Sequence, residues 1–184
     1  MLRECPIDAG LRLRQLEEAD LPALVECLND EEVARNTRTI PFPYTWQDAQ
    51  GFWQKRQELD RENGGIPTYW VIERREHGLV GGISVSLMGG LNGHRDEIGY
   101  VIGAAWRGRG YATAAVQALT AMQFETRPQL MRLEAWVYAH NPASKRVLEK
   151  AGYTVEGYCH SIFLKDNQLL DAWLLARLRS ASSL

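Results

Sequence analysis

Residues 106–116 read WRGRGYATAAV. Arg107 and Arg109 alternate with Gly108 and Gly110, directly ahead of Ala112, Ala115, Val116, Leu119 and Met122 at helical spacing. A helix N-terminus carries unpaired N–H groups and a partial positive charge, so it attracts anions. Glycines let an anion approach the backbone closely, and successive N–H groups form a nest. An arginine fork adds charge and bidentate donors for phosphate. The stretch reads as a diphosphate cradle or as a plain glycine turn. It is neither a G-x-G-x-x-G fingerprint, since the third position is Thr113, nor a P-loop.

Four other kinds of residue offer chemistry. Asn141 opens NPASKRVLEKAG as an N-cap, with Pro142 at the first helical position and Gly152 at the end. Ser144 follows three residues later, on nearly the same helix face. Glu97 starts the strand DEIGYVIG and faces away from Ile98, Tyr100 and Ile102, where a carboxylate can accept a proton. His140 and His160 are further candidate bases. The three cysteines, Cys5, Cys27 and Cys159, are scattered and odd in number, which fits reduced thiols and neither a disulfide framework nor a zinc site.

The elements that must position these groups follow from the patterning. Leu11–Glu17 alternates as a half-buried strand. Asp20 reads as an N-cap with Pro22 behind it, and Thr45 with Asp48 as a capping box for the helix carrying Ala49, Phe52 and Trp53. NGG and Pro67 stop that helix. Thr68–Arg74, Leu79–Met88 and Asp96–Gly103 read as an antiparallel meander. The helix after Gly110, a strand over Leu130–Tyr138, the Asn141 helix and two final segments, YTVEGYCHS and LLDAWLLARL, complete the order. The last segment is long enough to be a helix as well. Trp70 and Trp136 fall in strand patterns as core residues, and Trp106 is expected to pack beneath the glycine loop. The chain has 184 residues, 24% charged, with a formal net charge of -2. That suits one mixed α/β domain, 1–184 with its core at about 11–178, and disfavours a nucleic-acid surface. No run approaches the ~20 apolar residues of a membrane span, and no secretory leader is visible, so a cytoplasmic location is expected.

RGRGYA, Arg107 to Ala112, resembles the R/Q-x-x-G-x-G/A signature of the GNAT acyltransferases. NPASKRVLEKAGY resembles that family's second segment, EIGYVI sits where its central strand belongs, and PFPYTWQDAQGFW is similar to its RimJ/RimL-like branch. The resemblance spans roughly Leu11 to Leu178. It implies an α/β (α+β) fold with a mixed, mostly antiparallel sheet of six to seven strands flanked by helices. A splayed central strand would hold acetyl-CoA.

The resemblance further implies transfer of acetyl from acetyl-CoA to a primary amine by direct attack, with no metal. The branch points to the N-terminal α-amine of a protein such as a ribosomal protein. A small amine (polyamine, aminoglycoside or amino acid) and a non-catalytic coenzyme A-binding domain are the alternatives. Arg107, Gly108, Arg109, Gly110, Tyr111, Ala112 and Thr113 would hold the pyrophosphate. Val101 and Ile102 would offer main-chain contacts to pantetheine, and Asn141 a hydrogen bond. Ser144 would protonate the departing thiolate, because the tyrosine common in the family is replaced by Leu148. Glu97 is the candidate base, since the glutamate some relatives carry on a later strand is here Phe163. An α-amine, with pKa about 7.7–8.0 against about 10.4 for lysine, fits a site with no strong base. Family members are monomers or homodimers, and the chain is expected to be one or the other.

Overall fold

The computed structural model describes residues 4–180. The chain falls into two compact units, one taking residues up to Ser84 together with Tyr100–Ala115, the other Val85–Gly99 together with Val116 onward.

The first unit opens with β1 (Glu4–Pro6) and β2 (Leu11–Gln15). In β2, Leu11 and Leu13 are buried while Arg12 and Arg14 face outward, the alternation a half-buried strand requires. Three helices follow, α1 (Leu21–Leu28), α2 (Glu31–Asn36) and α3 (Trp46–Glu62). Asp20 stands at the N-cap of α1 but its side chain caps nothing there. It takes both Arg14 η-nitrogens at 2.7 Å and the Glu17 N–H at 2.9 Å. The Thr45–Asp48 capping box forms as expected. β3 (Tyr69–Arg74) and β4 (Gly78–Leu87) pair antiparallel, with a register shift at Ile72/Glu73, and β3 also pairs antiparallel with β2. Leu21, Leu24, Leu28, Val33, Tyr44, Ala49, Tyr69 and Val71 form the unit's core. Full burial of each such leucine stabilises by roughly 1.5–3 kcal/mol.

The second unit holds the start of β5 (Arg95–Ile102), most of α4 (Tyr111–Thr126), β6 (Arg132–Tyr138), α5 (Pro142–Lys150), β7 (Thr154–Lys165) and β8 (Gln168–Leu178). β5 and β6 are parallel, in register over Arg95↔Arg132, Asp96↔Leu133 and Glu97↔Glu134. β8 pairs antiparallel with both β6 and β7. The strands run in the order β1-β2-β3-β4-β5-β6-β8-β7.

The sheet therefore has eight strands where the sequence suggested six to seven. β1 and α2 escaped the reading because three and six residues are too short to show a period. The segment Leu169–Leu178, ambiguous by length, is a strand because it has a partner on each side. Asp166 and Asn167 both have positive φ (48° and 61°), the two-residue turn that joins twisted antiparallel strands.

Candidate active site

The glycine loop begins where β5 ends. A short 3-10 turn, Ala104–Trp106, leads to Arg107, and α4 starts at Tyr111. Gly108 (φ 76°) and Gly110 (φ 82°) take the left-handed backbone that disfavours L side chains. A Cβ placed on either would meet nothing within 4 Å, so the space before them is open. Ala114 N–H closes the first helical bond, to Gly110 O at 3.1 Å. The N–H groups of Tyr111, Ala112 and Thr113 precede it and belong to the helix's unfilled first turn.

Arg107 Nη2 lies 2.5 Å from Asp30 and its Nη1 2.6 Å from Glu32, while Nε donates to the Ile102 carbonyl at 3.2 Å. These contacts tie the loop to α2. Arg109 is exposed, donates to Ala105 O at 3.2 Å and rides over the Trp106 ring at 5.0 Å. Trp106 thus packs beneath the loop as expected, with the His77 ring 4.6 Å away.

Val101 and Ile102 lie just upstream in the same unit. Gly81 of β4 passes so close that a Cβ there would stand 2.3 Å from the Val101 carbonyl. Gly103 N–H donates to Val80 O at 3.0 Å, and Ile102 is 9% exposed. Cys27 lies against Gly103, and burial pushes its thiol up to about 11, which leaves it inert at neutral pH.

Glu97, Asn141 and Ser144 belong to the second unit. Asn141 Oδ1 accepts the Ser144 N–H at 3.1 Å, so Asn141 is the N-cap of α5, and its side-chain NH₂ is not used in that cap. Ser144 is half-buried one turn into the helix, and Leu148 is fully buried. Glu97 is half-buried and stands opposite Glu134 in the parallel register. Phe163 packs edge-on against Trp136 (5.6 Å) and Tyr138 (5.7 Å). Trp136 is half-buried rather than fully core, whereas Trp70 is 1% exposed.

Three features of charge were not read from the sequence. Glu134, 3% exposed, is held by Arg95 at 2.9 Å and Arg132 at 2.8 Å. Asp96, fully buried, accepts the Met88 N–H at 2.9 Å and pairs with Arg127. Asp171 gathers the Tyr158 hydroxyl (2.8 Å), His160 Nδ1 (3.1 Å) and the Ser161 N–H (2.8 Å). The Ser161 N–H and the Tyr158 hydroxyl hold that carboxyl below its usual range. Ala139 N–H donates to the Asp171 carbonyl at 2.9 Å, which puts this cluster beside the chain leading into Asn141. Arg95 and Glu134, Arg127 and Asp96, and Tyr158 and Asp171 are distant in sequence and are brought together only by the fold. Among the described residues no group of His, Cys, Asp and Glu is placed to hold a metal ion, and no helix is long and apolar enough to cross a membrane.

The open glycine turn, the unfilled N–H groups and the exposed Arg109 suit the diphosphate of coenzyme A, which supplies the activated acetyl thioester when bound. The family model of the acetyltransferase (GNAT) domain matches residues 10–154. The L-amino acid N-acetyltransferase AaaT of Escherichia coli is 24% identical over 91% of this chain and 97% of its own. The ribosomal protein uS5 alanine N-acetyltransferase of Escherichia coli is 29% identical over 67% of this chain and 65% of its own. The crystal structure of a GNAT acetyltransferase from Bacillus anthracis superposes with a TM-score of 0.82 at 27% identity, covering 95% of this chain and 98% of that one. The chain therefore belongs to the GNAT acetyltransferases and is an N-acetyltransferase that uses acetyl-CoA.

Proposed function

We propose that the chain, acting as one catalytic domain, acetylates an α-amine, the group shared by a protein N-terminus and a free amino acid. The observation that carries this reading is the kind of proton acceptor on offer, a carboxylate or an imidazole. Glu97 is a half-buried strand carboxylate, and His160 is an exposed imidazole braced by Asp171. Taking a proton from lysine instead of an α-amine would demand about 2.5 further pKa units, roughly 3.4 kcal/mol. The names of two relatives, an alanine N-acetyltransferase of uS5 and an L-amino acid N-acetyltransferase, describe acceptors of this kind. In this reading Gly108, Arg109, Gly110 and the first N–H groups of α4 hold the pyrophosphate. Val101 and Ile102 present main chain to pantetheine, Asn141 hydrogen-bonds it, Ser144 protonates the leaving thiolate and Glu97 takes the amine proton.

The test is acetyl-CoA-dependent thiol release with α-amine acceptors (amino acids and short peptides, each also with the amine blocked) beside spermidine and an aminoglycoside. Release confined to free α-amines supports the reading. Release with spermidine or the aminoglycoside and none with α-amines overturns it.

A further inference from the structure

Arg56 is half-buried on α3 and forms no ion pair among the described residues. Its guanidinium carbon lies 5.0 Å from the centre of the Phe52 ring and 5.7 Å from that of Tyr69. Among the described residues it makes one hydrogen bond, a long one of 3.4 Å from Nη1 to Thr68 Oγ1, and no ion pair. Asp60, four residues on, adds its negative charge to the surroundings, but its Oδ1 accepts the Thr68 N–H at 2.7 Å and the Thr68 hydroxyl at 2.8 Å rather than a guanidinium N–H. Burial pulls the guanidinium below its ordinary value, yet an arginine keeps its charge at neutral pH. Stacking on rings occupies the faces of the guanidinium and leaves its in-plane N–H donors to whatever lies at its edge.

Two more donors accompany it. Tyr44 is 5% exposed, and its hydroxyl is buried without a hydrogen-bond partner. Burial pushes that phenol up to about 12, so it stays a donor. The Trp53 indole N–H is also buried without a partner. Phe52, Trp53 and Arg56 share a face of α3 by their spacing. Tyr44 and Tyr69 belong to one core cluster, and Phe52, Trp53 and Val101 pack against it. Val101 is the residue expected to meet pantetheine, so this set lies beside the coenzyme's path within the same unit.

A half-buried cation in no ion pair, in the same unit as two buried donors without partners, is complemented by a ligand that brings both charge and acceptor oxygens. We propose that Arg56, supported by the Tyr44 hydroxyl and the Trp53 N–H, binds the carboxylate of the acceptor, which makes the acceptor a free α-amino acid. This deepens the α-amine reading and rests on it. A peptide N-terminus offers only a neutral carbonyl at that position, and a polyamine would bring a second cation to Arg56.

The experiment compares the L-amino acids as free acids, as C-terminal amides and as the first residue of tripeptides, with the intact chain and acetyl-CoA. The free acid is expected to exceed its amide about tenfold or more in kcat/KM, the scale of one charge-assisted hydrogen bond. Arg56→Gln is expected to raise the KM of the acid toward that of the amide with the acetyl-CoA KM unmoved, and Arg56→Lys to restore part of the preference. Tyr44→Phe removes only the hydroxyl and reduces the preference severalfold. It carries the test should Arg56→Gln fail to fold. Equal use of acid and amide, use of tripeptides alone, or a preference untouched by Arg56→Gln and Tyr44→Phe overturns the carboxylate site while α-amine acetylation stands. No acetylation of any α-amine overturns both readings.

Discussion

Asp30 caps α2 through one oxygen and holds Arg107 through the other. Its Oδ1 accepts the Glu32 N–H at 2.8 Å, and its Oδ2 lies 2.5 Å from Arg107 Nη2. The start of α2 and the glycine loop are thus fixed by a single carboxylate. Asp30→Asn keeps a capping oxygen and removes the charge. A pair of this partial exposure is worth about 1 kcal/mol, so acetyl-CoA is expected to bind about fivefold more weakly in calorimetry. Were Arg107 a direct phosphate ligand, freeing it from Asp30 would leave the affinity unchanged or tighten it.

Gly110→Asp is expected to abolish acetyl-CoA binding. The residue has φ 82° and opens onto free space, so the substitution strains the turn and points a carboxylate toward the pyrophosphate. Gly110→Ala adds the strain without the charge, of order 1–2 kcal/mol, and is expected to weaken binding about tenfold. Wild-type affinity in Gly110→Asp would remove the pyrophosphate assignment.

The legibility of the molecule follows the range of the interactions. The Thr45–Asp48 box, the Asn141 cap and the glycine loop are decided by neighbours within a few residues, and all stand where the sequence put them. Arg107 and Asp30 are far apart in sequence, and so are Tyr158 and Asp171 across the β7–β8 ladder. No period or spacing signals such pairs. Nothing in the spacing singles out Arg56 among the charges of its helix. Its significance appears once Tyr69 of β3 supplies the second ring.

Acid stability is expected to depend on Glu73. Its carboxylate takes Arg12 Nε at 2.5 Å and Arg14 Nε at 2.7 Å, across the β2–β3 ladder. Burial works to raise its pKa, but the hydrogen bonds from Arg14 and Arg12 together outweigh that and leave it below the ordinary 4.5. A depressed carboxylate stabilises the fold above its unfolded value and ceases to do so as pH falls through its folded value. Thermal unfolding from pH 7 down to pH 3 should therefore decline below about 4.5. Glu73→Gln should lower stability by about 2 kcal/mol at pH 7 and flatten that acid limb. An acid limb identical to wild type would discount the role of Glu73.

The proposed protonation of the leaving thiolate by Ser144 is open to a direct test. The tyrosine common in the family at position 148 is absent, and Leu148 is fully buried, whereas Ser144 is half-buried one turn into α5. Ser144→Ala is expected to lower kcat about tenfold or more, the scale of a lost general acid, and to change the acetyl-CoA KM less than about twofold. Leu148→Tyr is not expected to rescue it. A fully buried site has no room for the larger ring, and overpacking there costs about 1–3 kcal/mol. Steady-state kinetics on Ser144→Ala, Leu148→Tyr and the double variant separate these cases. An unchanged kcat in Ser144→Ala removes its acid role, and recovery in the double variant would mean that the position-148 side chain reaches the sulfur after all.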